Sequence, residues 1–197
     1  MTPEAIKRLA ELLSKLPSLG PRQATRLSFY LAGLSKDEVL DLADAVKDVG
    51  NIKRCTDCFS LSAGLNLKCE TCSNPRRDAS VVVIVEKDTD MQTLEKTNSL
   101  TGHYLILGQL PKDGILSPDQ KRRLERLKAL APKEGQFEEI IIALSPTTYG
   151  DLNASLISRD LKTVAKKITR LGRGIPTGAE IEFADEQTIL DALRHRD

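Results

Sequence analysis

Cys55-Thr56-Asp57-Cys58, ten further residues, and Cys69-Glu70-Thr71-Cys72 stand shortly ahead of Val81-Val82-Val83-Ile84-Val85, and the fold turns on this stretch. Two Cys-x-x-Cys pairs joined by a short loop can place four thiolates tetrahedrally around one ion. Thiolate softness and that geometry favour zinc, and the chain has no other cysteine. The competing reading, two disulfides, is disfavoured in a reducing compartment. Four protein thiolates close the shell and leave no position for a catalytic water, so such a site organises a module and performs no chemistry. The β-branched run that follows is what a strand covered on both faces requires. Leu105–Leu107 and Ile140–Leu144 read likewise. Helical stretches near 89–96 and 118–130 lie between them, the second opened by Ser117-Pro118-Asp119-Gln120 with capping-box spacing, and 151–163 reads as another helix. Strands alternating with helices predict a parallel α/β sheet.

Upstream, Ile6, Leu9, Leu12, Leu13 and Leu16 recur at helical spacing and predict an amphipathic helix over 3–15. Leu16-Pro17-Ser18-Leu19-Gly20-Pro21-Arg22 then forces a tight turn, and Pro21 suits the first position of a new helix. Ala24, Leu27, Tyr30, Leu31 and Leu34 give that helix its apolar face. Ser35-Lys36-Asp37-Glu38 opens a third helix, with Val39, Leu42, Val46 and Val49 expected inward. The turn resembles a helix-hairpin-helix DNA-binding element, whose backbone N–H groups and second-helix N-terminus face a phosphate. Arg22 and Arg26, four apart on one helix face, add two phosphate contacts in that reading. The alternative is an ordinary helical hairpin with solvated arginines.

Composition narrows the function classes. With 197 residues, 40% hydrophobic and 29% charged, the chain can bury a core. No apolar run approaches the ~20 residues of a membrane-spanning helix, and Met1-Thr2-Pro3-Glu4 has neither part of a secretory signal, so a cytoplasmic chain is expected. Tryptophan is absent and aromatics are 4%, which excludes base stacking as a major binding mode. Two histidines, His103 and His195, argue against a His-based triad or a His-rich metal site. The chain has no phosphate-loop motif, and Ser145 lacks nucleophile-elbow context.

The net charge of +1 conceals a segmental pattern. Residues 156–176 hold 6 Lys and Arg against 1 acidic residue, and residues 177–197 hold 2 against 6. The basic run Lys162, Lys166, Lys167, Arg170 and Arg173 is either a solvated face or a phosphate track. Glu86 ends the first strand of the α/β unit, and Asp88 and Asp90 follow, where parallel sheets bind ligands or metals. Magnesium-dependent phosphoryl chemistry needs further carboxylates from another strand end. Ser145-Pro146-Thr147-Thr148, after Ile140–Leu144, supplies none, so Glu86, Asp88 and Asp90 read as a solvated or partner-facing edge. Glu182, Asp185 and Glu186 read as helix capping or a subunit contact.

The order of these parts resembles, end to end, the RecR family of bacterial recombination mediators. The resemblance is carried by the Leu16–Arg22 turn, the four cysteines, Ile168-Thr169-Arg170-Leu171-Gly172-Arg173-Gly174-Ile175-Pro176-Thr177-Gly178, and Glu182-Phe183-Ala184-Asp185-Glu186. It implies an α+β multidomain chain: a helix-hairpin-helix region over 1–53, a four-cysteine zinc module over 54–78, a Toprim-type α/β domain with a parallel sheet over 79–172, and an acidic C-terminal segment and helix over 173–197. It also implies a non-catalytic, nucleoid-associated DNA-binding protein of recombinational repair. Family members work with RecO, and in many bacteria RecF, to help RecA load on gapped or single-stranded DNA. They assemble as dimers and as a ring-shaped tetramer that can clamp DNA. Basic residues matching Arg22 and Arg26 contact DNA in the family, and an acidic edge matching Glu86 and Asp90 is implicated in binding RecO. Here the family's Asn-Pro-Thr-x-Glu-Gly-Glu segment reads Ser145-Pro146-Thr147-Thr148-Tyr149-Gly150-Asp151, and Lys87 replaces an acidic residue. A magnesium-dependent Toprim enzyme acting on phosphodiesters is the alternative from another class, disfavoured by the missing carboxylates after Leu144.

Overall fold

The computed structural model describes residues 2–62, 67–132, 135–194 and 196; His195 lies outside them. The chain divides into two compact units, Met1–Ile52 and Lys53–Asp197.

The first unit holds three helices, α1 (Glu4–Leu13), α2 (Pro21–Ala32) and α3 (Lys36–Asn51). The turn between α1 and α2 passes through Ser18 at φ 63°, which a non-glycine residue rarely adopts. Gly20 then caps α2 with Pro21 in its first turn. Ala24 and Ser28 are fully buried on α2, and the Ser28 hydroxyl is satisfied by donating to the Ala24 carbonyl at 2.8 Å. The predicted capping box of α3 is formed: Ser35 Oγ accepts from the Glu38 N–H at 3.3 Å, and Glu38 Oε2 accepts from the Ser35 N–H at 2.9 Å.

One expectation fails here. Val39, Leu42, Val46 and Val49 do not point inward; they are 40%, 46%, 64% and 67% exposed, and α3 has no buried residue. Helical periodicity marks a face that gains by being covered, but it does not say what covers it. Three short helices enclose too little volume to bury a third apolar stripe.

The second unit begins with a hairpin, β1 (Lys53–Arg54) paired antiparallel with β2 (Leu61–Ser62), followed by the short α4 (Glu70–Ser73). Then come β3 (Asp78–Val85), α5 (Asp88–Glu95), β4 (Gly102–Ile106), α6 (Pro118–Ala129), β5 (Phe137–Ile142), α7 (Thr148–Leu161) and β6 (Ala165–Arg170). The four long strands form one parallel sheet in the order β4-β3-β5-β6. Its core is the predicted one: Val82–Val85, Leu105–Leu107, Ile140 and Ile142 are all buried. The edge strand β6 carries exposed Lys166 and Lys167, so its sequence does not read as a strand. A 3-10 turn over Ile181–Phe183 and α8 (Glu186–Arg194) close the chain.

The four-cysteine hairpin is fastened to the sheet. Cys58 O accepts from the Ile106 N–H at 2.8 Å. Phe59, at φ 62° and 8% exposed, belongs to the sheet's hydrophobic core, with the Arg123 guanidinium 5.0 Å from its ring centroid. Asp57 pairs with Lys68 at 2.8 Å and with Arg126 of α6 at 2.6 Å. Burial alone would push the Asp57 carboxyl up; those two cations outweigh it and hold the group below its ordinary value.

Candidate metal centre and nucleic-acid interface

The four cysteines are brought together by two tight turns. After β1 the chain folds back so that the Phe59 N–H donates to Cys55 O at 3.1 Å and the Cys55 N–H to Ser60 O at 2.8 Å. On the other side Cys69 caps α4, its Sγ accepting from the Cys72 N–H at 3.4 Å. All four Sγ atoms lie within 4.8 Å of one another, and all four cysteines are free. Among the described residues this is the one group of three or more metal-ligating side chains drawn to a point. The donor set fits a soft cation. Hydrogen bonds from Cys58 and Cys72 pull the Cys69 thiol down, while beside it Cys58 is pushed up to about 12 and Cys72 is pushed up as well. Four sulfurs at this spacing are close enough to hold one soft cation between them.

The acidic edge is less uniform than its sequence. Glu86, at the end of β3, accepts from the Leu110 N–H at 3.3 Å. Asp88 faces the cysteine hairpin: its carboxylate accepts from the Leu61 N–H at 2.7 Å and pairs with Arg54 at 3.3 Å. Asp90 accepts from the Lys87 N–H at 3.0 Å and lines a cavity of about 300 Å³ with Ser145, Asp151, Arg170 and Arg173. Asp151 is the carboxylate that sequence reasoning missed. It lies beyond the loop after β5, in the first turn of α7. Thr147 starts that helix early by accepting from the Gly150 N–H at 3.1 Å, and Gly150 fits so tightly that a Cβ there would sit 1.9 Å from Ser145 O. Asp151 is held by Arg173 through both guanidinium nitrogens and by Arg170 at 3.4 Å, which keeps its carboxyl below the usual range.

The basic residues divide into paired and unpaired. Lys166 pairs with Glu138 at 2.5 Å, Lys167 with Glu139 at 3.4 Å, and Arg170 and Arg173 with Asp151. Of the 162–173 run only Lys162 makes no ion pair among the described residues. Arg22 and Arg26 differ. Both are exposed on α2 beside the Ser18–Pro21 turn, and neither pairs with a carboxylate among the described residues.

A helical hairpin displaying exposed arginines, a four-cysteine centre and a parallel α/β sheet with a carboxylate edge define a modular Toprim-type protein with a cysteine module able to hold a metal. Family profiles agree part by part: "RecR, helix-hairpin-helix" matches residues 6–49, "Toprim domain" 80–172, and "RecR, C-terminal" 174–196. A Recombination protein RecR of Clostridium perfringens is 38% identical over 198 residues, covering 98% of this chain and 96% of that one. Namesakes in Dehalococcoides mccartyi, at 36% over 99% of this chain and 95% of theirs, and Gloeobacter violaceus, at 36% over 97% and 96%, match alike. The chain belongs to the RecR family.

Proposed function

We propose that this chain is a non-catalytic mediator of DNA recombination and repair that binds DNA without regard to sequence. The observation that carries the reading is the pair Arg22 and Arg26, exposed and without acidic partners among the described residues, next to a helix-hairpin-helix turn. Phosphate contacts of this kind position a protein on DNA and carry no base identity. The cysteine centre holds one structural zinc ion per chain. RecO, and RecF where the host encodes it, are the partners with which the chain promotes RecA loading on gapped or single-stranded DNA. Lys162 and its paired neighbours are secondary contacts.

A ring-shaped dimer or tetramer supplies the multiple copies that weak single hairpins need, since linked sites raise effective concentration. The open face of α3 is one apolar surface available for assembly. Burying one valine contributes on the order of 1.5–3 kcal/mol. Val46→Asp with Val49→Asp should therefore shift light-scattering mass toward smaller species while helix content stays constant. An unchanged mass places the assembly contact elsewhere.

Magnesium chemistry on phosphodiesters is the competing reading, since Asp90 and Asp151 line one cavity. Arg173 and Arg170 occupy the Asp151 carboxylate, which favours an ion-paired edge over a cation site. DNA nicked or relaxed by the purified chain with magnesium would reverse the proposal. The acidic edge is the RecO surface in this reading; Glu86, Asp88 and Asp90 are all partly buried, and Asp88 is shared with the hairpin. Glu86→Lys with Asp90→Lys should weaken RecO binding and leave the chain's own DNA affinity intact. Asp88→Lys should in addition lower thermal stability, because it places a cation against Arg54 and removes the Leu61 acceptor. Titration calorimetry that finds RecO affinity unchanged in the double variant removes the edge from the partner surface.

A further inference from the structure

The four cysteines are not equally reachable. Cys55 and Cys58 are each 1% exposed and Cys69 is 6% exposed, whereas Cys72 is only half-buried. Cys72 lines a cavity of about 190 Å³ together with Lys68, Ala79, His103 and Leu127. That is several times the ~30 Å³ share of one water molecule, which leaves room for a small peroxide. Cys69 borders a second opening, a groove of about 500 Å³ shared with Ser60, Ser73 and Met91. Neither opening is lined by Cys55 or Cys58. The first Cys-x-x-Cys pair is therefore sealed and the second is approachable from two sides. Within the second pair the two residues share one helical turn, with the Cys72 N–H already directed at the Cys69 sulfur at 3.4 Å.

We propose that Cys69 and Cys72 form an oxidisable pair, with Cys72 the sulfur attacked first by hydroperoxides and Cys69 the one that resolves it. The inference rests on the zinc reading above. In the zinc-loaded chain, where all four ligand sulfurs are deprotonated, Cys72 attacks the nearer oxygen of hydrogen peroxide; the O–O bond breaks, an S–O bond forms, and hydroxide leaves. The Cys69 thiolate then attacks the Cys72 sulfenic acid; the S–O bond breaks, an S–S bond forms, and a second hydroxide leaves. Two thiolates have lost two electrons, the peroxide has gained them, and both hydroxides take protons to become water. The ion keeps only Cys55 and Cys58 and departs, since two ligands cannot hold it in a tetrahedral closed shell. A thiol reductant with added zinc reverses the change. The site thus responds to a hydroperoxide through the half of the centre that faces the cavity, while the half fastened to β4 stays reduced.

The experiment uses the full chain loaded with zinc, its metal content measured before any oxidant is added. Hydrogen peroxide is titrated below one equivalent, free thiols are alkylated, peptides are mapped by mass spectrometry, and released zinc is followed with a chromogenic chelator. The expected first product is the Cys69–Cys72 disulfide, with one zinc released per disulfide formed. A first disulfide that includes Cys55 or Cys58, or overoxidation of Cys72 without a disulfide, overturns the proposal. Ala79→Leu tests the route without touching a ligand, because Ala79 is an exposed part of the cavity wall. It should slow disulfide formation several-fold at unchanged zinc content; an unchanged rate overturns access through this cavity. A folded preparation that contains no zinc before peroxide is added refutes the metal reading instead, so the two failures are distinct.

Discussion

Stripping the metal with a strong chelator, or replacing Cys58 with serine, is expected to unfold the segment 53–78 and to loosen the edge of the parallel sheet with it. The hairpin contributes a two-stranded pairing, one short helix and almost no apolar core beyond the cysteines and Phe59. With zinc in the centre as proposed, its stability comes from the ion, since structural zinc binding supplies roughly 10–16 kcal/mol in small modules. That is comparable with the whole ~5–15 kcal/mol margin of a typical domain. The damage spreads because Phe59 is part of the sheet core and Cys58 O is the acceptor for the Ile106 N–H. Hydrogen exchange should show protection lost at Ile106 as well as within the hairpin, together with a lower melting temperature. Full protection at Ile106 in the metal-free chain would show that the sheet holds the hairpin rather than the reverse.

Arg22→Ala combined with Arg26→Ala is expected to weaken binding to every DNA sequence by the same factor and to flatten its salt dependence. Each arginine that neutralises a phosphate releases condensed counterions, worth about 0.9 units in the slope of log affinity against log salt on duplex DNA. The pair thus removes nearly two units per engaged copy, about one for each arginine. In a ring the loss multiplies with the number of hairpins on the DNA. Zinc content and assembly state should not change, because neither side chain holds a carboxylate among the described residues. A salt series in which the double variant tracks the parent would leave the hairpin as a structural element. Attention would then pass to Lys162, the one member of the 162–173 run without an ion pair among the described residues.

Where the sequence was legible, a local pattern had a single physical solution. Two Cys-x-x-Cys pairs at short range determine a close cluster of four sulfurs, and the continuous run Val82–Val85 determines a buried strand. The capping boxes at Ser35 and Ser117 determine where α3 and α6 begin. What escaped depends on partners distant in sequence. Lys166 and Lys167 look like a solvated or phosphate-binding run until β6 lies beside β5 and presents them to Glu138 and Glu139. Asp151 looks remote from the end of β5 until the Thr147 cap and the Gly150–Ser145 approach fold it back into the cavity with Asp90. Asp88 reads as a free acid because nothing in its neighbourhood announces Leu61 or Arg54. The valines of α3 escaped differently: their period is right and their destination is not encoded locally.

The bond from the Ile106 N–H to Cys58 O has a consequence for how the protein fails. β4 is an outer strand of the sheet, and outer strands offer ready templates for other chains to polymerise upon. At the opposite margin β6 is guarded by the charges of Lys166 and Lys167. β4, reading Gly102-His103-Tyr104-Leu105-Ile106, has no such guard in its own sequence and relies on the cysteine hairpin as a cap. If the cysteine centre holds zinc as proposed, metal starvation exposes a bare apolar margin and the expected fate of the chain is aggregation, so that zinc supply would set how much of this protein a cell keeps in solution.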